Sequence, residues 1–202
     1  MYVPRANVWS VPINDGDAVT SAAAEAVTRA SEYIEGVVVS PDGQWLGFDS
    51  DRSGIQEIYK VPIDGGAPQQ LTSGPGDKFI YSWSAGKLAY HAYVGDEPDI
   101  YIVASDGSSI ERVTSHPAHE RAPDVSPDGN DVVFTSFENE TEDLFVVSRD
   151  PETGTWGSRR QLTFLDGSTR GKWSPDGRQV LFTSGGQALY LIPSEGGGDG
   201  GG

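Results

Sequence analysis

One stretch of this sequence combines residue types that could bind a metal ion. Within five residues it contains His116, His119 and Glu120, and imidazole and carboxylate groups are common zinc ligands. Zinc-binding helices, however, place two histidines four residues apart on one face, whereas these two are three apart with Pro117 between them. We therefore expect this stretch to pack within a loop, and we predict no metal or other cofactor.

A serine nucleophile would need a different pattern. The G-x-S-x-G turn of α/β-hydrolases exposes its serine between two glycines. The nearest string surrounds Ser84, but Ser82 stands where the first glycine should be. The sequence also contains no phosphate-binding loop of the form G-x-x-x-x-G-K. These patterns predict that the chain is not an enzyme.

Groups of carboxylates are numerous, and such groups could serve glycoside hydrolysis or calcium binding. They are Asp49 with Asp51, Asp96 with Glu97 and Asp99, and Glu138 with Glu140 and Glu142. Each group falls between two apolar segments, which is typical of a hairpin in solvent. We expect solvated hairpin edges here, with a calcium site at Asp49 and Asp51 as the alternative.

Charge and composition limit the partners. The 202 residues include 30 acidic and 14 basic ones, for a formal net charge of −16, which argues against nucleic acid and anionic membrane surfaces. There is no cysteine, so disulfides and thiolate zinc sites are excluded. No apolar run approaches the roughly 18 residues that span a membrane. The first five residues lack the apolar segment of a secretory signal, which fits a cytosolic protein, a mature form or a piece of a larger chain.

These groups are carried by an internal repeat. The tetrapeptide Ser-Pro-Asp-Gly begins at Ser40, Ser126 and Ser174, and a degenerate copy begins at Ser84, so that successive copies lie 44, 42 and 48 residues apart. A period of about 40–45 residues is typical of β-propeller blades. Pro, Asp and Gly in this order favour a tight turn. The tetrapeptide is therefore predicted to join two strands of each blade.

Each repeat contains four short segments that we label strands A to D. Strand A runs into the tetrapeptide and strand B follows it, as in residues 37–39 and 45–48. Strand C recurs at residues 57–61, 99–103, 143–147 and 188–192, with a further copy at 7–11. Strand D ends in Leu-Thr or Val-Thr, at Thr28, Thr72, Thr114 and Thr163. Such apolar and β-branched runs are typical of buried strands.

The order of these segments predicts an all-β chain, namely a β-propeller of four-stranded antiparallel blades with about four blades. We place the propeller at residues 1–195, with units at 1–28, 29–72, 73–114, 115–163 and 164–195, and a Gly-rich tail at 196–202. The first unit holds strands C and D alone, and the last lacks strand D, which the N-terminal strand D could supply. The alternatives are a truncated piece of a larger propeller and a homo-oligomer in which two chains make eight blades. We favour a partner chain, because an isolated half-propeller exposes long apolar sides.

The string from Trp173 to Ser184 resembles the repeat of TolB-type β-propellers, as does the stretch from Ser50 to Gly54 before a strand C. The resemblance extends from Val8 to about Pro193. A similar repeat occurs in tricorn-type proteases and in prolyl oligopeptidase relatives, so the fold leaves the function open. It implies either a non-catalytic module for protein or peptide binding, or the substrate-gating propeller of a larger peptidase or hydrolase. A TolB-like role implies a periplasmic location after signal removal, and otherwise the chain would be cytoplasmic.

The connections from strand D to the next strand A differ between blades, whereas the frame repeats. In propellers these connections ring one mouth of the central channel, and we expect recognition there. The candidate binding residues are Tyr33, Lys78, Phe79, Arg121 and Arg170. Aromatic and Arg side chains commonly anchor interfaces. The three cations would form a basic spot for an acidic segment or a terminal carboxylate of a protein or peptide partner.

Overall fold

The computed structural model describes residues 6–11, 21–30, 32–138, 140–165, 167–186 and 188–195. Within these ranges the chain forms 17 β-strands and one short 3-10 helix, Ser21–Ala23. The Gly-rich tail predicted at 196–202 lies outside the described residues. In the part of the chain that the structure describes, no helix is long and apolar enough to cross a membrane.

The strands form antiparallel sheets that follow the chain in order. An N-terminal half-blade pairs β1 (Trp9–Ser10) with β2 (Glu25–Ala26). Blade 1 contains β3 (Val37–Val39), β4 (Trp45–Ser50), β5 (Glu57–Pro62) and β6 (Gln69–Gln70). Blade 2 contains β7 (Lys78–Ser84), β8 (Lys87–Ala92), β9 (Asp99–Ala104) and β10 (Ile110–Arg112). Blade 3 contains β11 (His119–Val125), β12 (Asp131–Glu138), β13 (Thr141–Ser148) and β14 (Arg160–Gln161). Blade 4 contains β15 (Ser168–Trp173), β16 (Gln179–Ser184) and β17 (Ala188–Pro193). The predicted four-stranded antiparallel blades are confirmed.

Side-chain hydrogen bonds explain why the tetrapeptide recurs. In blade 1 the Ser40 hydroxyl donates to Asp42 Oδ1 over 2.5 Å, and the same oxygen accepts a main-chain N–H two residues later. Gly43 adopts a φ of 71° and closes the turn with a bond from its N–H to the Ser40 carbonyl, a conformation that costs glycine little. The same contacts recur in the turns that begin at Ser126 and Ser174.

A second local bond explains the threonine at the end of strand D. The Thr72 hydroxyl accepts a hydrogen bond from the main-chain N–H of Ile58 in strand C, over 2.9 Å. Thr114, Thr163 and Thr28 accept the equivalent bond in blade 2, blade 3 and the N-terminal half-blade. This bond holds the short outer strand to its neighbour where few ladder bonds are available. The half-blade therefore carries true C and D strands.

Neighbouring blades pack face to face through apolar side chains, and these contacts form the core. Between blades 2 and 3 the buried cluster includes Ala89, Ile100 and Ile102 on one side and Val125, Val132 and Phe134 on the other. Between blades 3 and 4 it includes Val133, Leu144, Val146, Val180 and Phe182. Burial of such area is the main source of stability in a repeat that cannot cover its own faces.

Candidate functional site

The innermost strands of all four blades converge on one cavity of ≈ 460 Å³. Its lining includes Val37 from β3, Phe79 and Tyr81 from β7, Ala122 from β11, and Arg170 and Lys172 from β15. These strands begin at the connections from strand D to strand A. The cavity is therefore the channel mouth on the loop-bearing end of the propeller. Of the five candidate binding residues, it brings Phe79 and Arg170 together.

Lys78 does not take part in this cavity. Its side chain is buried, and Nζ lies 3.0 Å from Glu57 Oε1 and within hydrogen-bond distance of three main-chain carbonyls. Successive side chains of a strand point to opposite faces. Lys78 therefore turns into the blade, whereas the next residue, Phe79, turns towards the channel. Sequence position relative to strand A was not sufficient to place it, and we leave Lys78 out of the site.

Arg170 is the freest cation at the channel mouth. Its side chain is exposed, and no carboxylate of the described residues lies within 4 Å of it. The strand shifts register between Thr169 and Lys172, and Arg170 adopts a φ of 57° there. Its main-chain N–H donates to Thr135 Oγ1 over 3.1 Å. This β-bulge re-aims the side chain, as bulges beside functional sites often do.

The other two cations are partly engaged. Arg121 forms an ion pair with Glu142, and its side chain is still 43% exposed. Lys172 Nζ lies 2.9 Å from Asp124 Oδ1 and donates to the Tyr81 carbonyl over 3.0 Å. The charges of Arg121 and Arg170 both act to lower the pKa of Tyr81, although burial has the larger effect and raises it. Both guanidinium groups therefore lie close enough to the channel to influence a ligand.

Aromatic rings line the blade 2 side of the mouth. Phe79 stacks on His91 with 5.1 Å between ring centroids, and Tyr81 lies 5.3 Å from the same imidazole. Tyr93 packs edge-on against Phe79 and against His119. His91 is buried, its Nδ1 has no hydrogen-bond partner among the described residues, and burial lowers its pKa to about 3. A neutral aromatic wall thus faces the cations.

Tyr33 lies at the blade 1 side of the same end. Its hydroxyl donates to Glu35 Oε2 over 3.0 Å, and Glu35 lines the cavity. The bond to Glu35 is the main reason that the pKa of Tyr33 is raised. Tyr33 therefore does not line the cavity itself but holds the Glu35 carboxylate at the channel mouth.

Asp49, which also lines the cavity, holds strands together. Its carboxylate accepts main-chain hydrogen bonds from Glu35 over 2.7 Å, Gly36 over 3.0 Å and Ile80 over 3.2 Å. Burial nevertheless raises its pKa to about 6. Because N–H donors occupy its oxygens, the calcium alternative at Asp49 is not supported. The residue instead joins blade 1 to the innermost strand of blade 2.

The three residues considered as zinc ligands each contact a different partner. His119 Nδ1 lies 3.0 Å from Glu97, and His116 Nδ1 lies 3.8 Å from Glu138. Glu120 is fully buried against Arg159, and its pKa is raised by burial. No group of three or more metal-ligating side chains occurs among the described residues.

Exposed apolar side chains surround the mouth on the same end of the propeller. Here the B-to-C hairpin of blade 2, the end of β12 in blade 3 and one D-to-A connection expose large apolar groups. We call this set the apolar rim, and it consists of Tyr93, Val94, Phe137, Phe164 and Leu165. Phe164 is 76% exposed. The rim was not predicted from the sequence, although apolar residues inside predicted loops are a signal that could have revealed it.

A larger cavity of ≈ 700 Å³ lies at the outer edge, between blades 2 and 3. The charged side chains that line it already have ionic partners: Arg112 pairs with Asp99 and Arg159 with Glu120. Glu111 lies 2.5 Å from Arg149 Nη2 and accepts a hydrogen bond from Trp156 Nε1, and the Arg149 guanidinium covers the Trp156 ring. These contacts clamp two blades together, and we therefore take the smaller channel mouth as the candidate site.

Parts of the sequence are similar to known proteins. An uncharacterised protein of Agrobacterium fabrum is 30% identical over 160 residues, which are 71% of this chain and 52% of that protein. A tricorn protease homologue of Streptomyces coelicolor is 28% identical over 130 residues, 58% of this chain and 10% of that protein. The chain thus spans about half the length, or less, of these relatives.

A solved structure and a family profile identify the fold. The structure of a TolB protein from Agrobacterium tumefaciens superposes with a TM-score of 0.74 at 23% identity, over 87% of this chain and 67% of that chain. The PD40 family, described as the TolB beta propeller domain, matches residues 80–199, which is more than half of the 202 residues. The chain belongs to the TolB β-propeller domain family.

Proposed function

We propose that this propeller is a non-catalytic module that binds a protein or peptide segment across the channel mouth. The observation that carries the proposal is the cavity to which all four innermost strands contribute. At its edge lies the exposed Arg170 guanidinium, which has no ion pair among the described residues. A site built from several blades at once is held rigidly, which favours recognition of an extended segment.

The chemistry of the mouth favours a ligand with a carboxylate beside an apolar or aromatic side chain. Arg170 can form two parallel hydrogen bonds to a carboxylate, and Arg121 can add charge from its exposed side. The Phe79 ring, which stacks on His91, offers an apolar surface next to these cations. An acidic peptide segment or a free C-terminus satisfies both demands.

The apolar rim favours a macromolecular partner over a small molecule. Phe164 and Leu165 lie outside the cavity on a connection between blades, so a ligand confined to ≈ 460 Å³ would not cover them. Clustered exposed apolar groups on a soluble domain usually mark an interaction surface. A partner that inserts a segment into the mouth and rests on the rim would bury both.

Similarity to the Streptomyces coelicolor tricorn protease homologue supports a second candidate function. In that case the propeller would belong to a larger peptidase and would pass a peptide through the same channel towards a catalytic domain. Both candidates use the same mouth residues and neither needs a nucleophile in this chain. They differ in what happens to the bound peptide: a binding module leaves it intact, whereas the larger peptidase would cleave it.

Fluorescein-labelled acidic peptides with a free C-terminus, and the same peptides with an amidated C-terminus, provide a direct test. We expect binding by fluorescence anisotropy, a loss of at least tenfold in affinity in the Arg121→Ala/Arg170→Ala double variant, and intact peptide after prolonged incubation. The matched control is Arg178→Ala, which removes an exposed arginine from a tetrapeptide turn at the opposite end. Equal affinities in the parent and the double variant would show that the mouth is not the site.

A further inference from the structure

The channel mouth carries exposed charges of both signs on different blades. Glu35 of blade 1 and Arg170 of blade 4 both line the cavity of ≈ 460 Å³, and both side chains are exposed. Neither forms an ion pair with a described residue, although they share one cavity. Two unlike charges that share a cavity without meeting suit a ligand that carries both charges itself.

Local contacts hold Glu35 at the cavity. Its main-chain N–H donates to Asp49 Oδ1 over 2.7 Å, and its Oε2 accepts a hydrogen bond from the Tyr33 hydroxyl over 3.0 Å. The other carboxylate oxygen, Oε1, accepts no hydrogen bond from the described residues. A carboxylate that is fixed through its backbone and through one oxygen, and is otherwise open to solvent, is placed to accept hydrogen bonds from a cation.

Aromatic side chains lie within reach of both charges. The Phe79 and Tyr81 rings line the same cavity as Glu35 and Arg170. Burial raises the pKa of Tyr81, Glu35 raises it further, and the charges of Arg121 and Arg170 lower it. Tyr81 is therefore close enough to sense the acidic and the basic side of the mouth. The faces of aromatic rings attract cations, so these rings would support a cation that binds beside Glu35.

Building on the binding function proposed above, we propose that the mouth selects a free C-terminus whose last residue has a basic side chain. The terminal carboxylate binds Arg170, and the lysine ammonium or arginine guanidinium of the same residue binds Glu35. Such a residue carries both charges, and the cavity has the size of a pocket for a small ligand. An acidic segment would instead place a carboxylate near Glu35. Of the two ligands considered above, the free C-terminus is therefore the better match.

The charge of the whole chain acts in the same direction. A formal net charge of −16 attracts a basic peptide and repels an acidic one over distances that salt screens. This attraction acts on any part of the surface, whereas the contact at Glu35 acts on one residue of the ligand. Variants that remove one carboxylate at a time separate the two effects.

A series of peptides that differ in the last residue tests the selection. The peptides share a neutral sequence with fluorescein on the N-terminal amine, and they end in Lys, norleucine or Glu with a free carboxylate, or in Lys with an amide. The label blocks the N-terminal amine, so the side chain is the only cation. By fluorescence anisotropy the parent should bind the free lysine peptide about fivefold more tightly than the norleucine peptide, the upper end of what an exposed ion pair contributes. It should bind the Glu peptide and the amidated peptide more weakly still.

Substitutions at Glu35 assign the preference to this residue. Glu35→Gln retains an oxygen that can accept the Tyr33 hydroxyl and removes the charge, so it should bind the lysine and norleucine peptides equally. Glu35→Lys should reverse the order, so that the Glu peptide binds more tightly than the lysine peptide. The matched control Glu152→Gln removes an exposed carboxylate from the C-to-D connection of blade 3, at the opposite end of the propeller, and should keep the preference of the parent.

The outcomes separate this inference from the binding function on which it rests. A parent that prefers the free over the amidated C-terminus but binds lysine and norleucine peptides equally overturns the selection and leaves the binding function standing. A lysine preference that survives in Glu35→Gln comes from the net charge of the chain and also overturns the selection. Equal affinity for the free and amidated lysine peptides overturns the carboxylate contact. A parent that binds none of these peptides overturns the inference, and the acidic peptides of the earlier test then decide the binding function on their own.

Discussion

Lys172 on the innermost strand of blade 4 donates a hydrogen bond of 3.0 Å to the main-chain carbonyl of Tyr81 on the innermost strand of blade 2. The same ammonium lies 2.9 Å from Asp124 of blade 3. One side chain therefore joins three successive blades at the channel. Asp124 also accepts a hydrogen bond from the main-chain N–H of Trp173, so the contact closes a small network between blades 3 and 4.

The variant Lys172→Met should lower the free energy of unfolding by about 1–2 kcal/mol, because the mostly buried Asp124 carboxylate loses its cation. Urea denaturation followed by tryptophan fluorescence measures this change. The control is Lys60→Met, which removes a cation that rests on the Trp45 ring of its own blade. Equal losses in the two variants would contradict a bridging role for Lys172.

Lys78→Met should destabilise the chain more strongly, by about 3 kcal/mol, since it leaves Glu57 buried without its partner. The Lys78→Met/Glu57→Gln double variant should recover part of this loss, because the uncompensated charge is gone. Peptide affinity at the channel mouth should be unchanged in both, since Lys78 faces into the blade. A loss of affinity with normal stability would place Lys78 back in the binding site.

The blades were predictable because their determinants are local. In the tetrapeptide turn Ser40 donates a hydrogen bond to Asp42 and accepts one from the main-chain N–H of Trp45. The Thr at the end of strand D accepts a hydrogen bond from the adjacent strand C. Such short-range patterns appear directly in the residue order. The length of strand A was harder to predict, because β7 and β11 extend beyond the short apolar runs visible in the sequence.

The site was only partly predictable, because it depends on the direction in which each side chain points as well as on its position in the sequence. Lys78 and Phe79 are adjacent in sequence, but strand alternation sends one into the blade and the other towards the channel. The bulge at Arg170 recurs in the innermost strands β7 and β11, and the Arg170 main-chain N–H donates to Thr135 of another blade. Neither the bulge nor the contact is marked by a residue type, so only the three-dimensional structure shows them.

Asp49 should give the chain a stability that falls as pH rises. Burial raises its pKa from 3.8 to about 6, so between these values the folded chain binds a proton that the unfolded chain has already released. The free energy of unfolding then decreases by up to about 3 kcal/mol across this window. Asp49→Asn removes the proton site, so parent and variant should diverge between pH 4 and pH 6 in the variant's favour.

Urea titrations at half-unit pH intervals measure that divergence for Asp49→Asn. The control Asp96→Asn removes one exposed charge in a hairpin and should show the same pH dependence as the parent. Parallel stability curves for the parent and Asp49→Asn would contradict a raised pKa for the buried carboxyl.

His91 should act in the opposite direction. Burial, followed by the charges of His119 and Arg121, lowers its pKa from 6.5 to about 3. Below pH 6.5 this histidine is protonated in the unfolded chain but remains neutral in the folded chain. The free energy of unfolding therefore falls as pH falls, and the loss reaches about 3 kcal/mol at pH 4. His91→Phe preserves an aromatic ring against Phe79 and cannot titrate, so it should lose less stability than the parent between pH 6.5 and pH 4.

The control His116→Phe replaces an imidazole that is 38% exposed and should follow the parent closely. If His91→Phe and the parent lose stability in parallel, His91 is protonated in the folded chain and the aromatic wall of the channel mouth carries a positive charge.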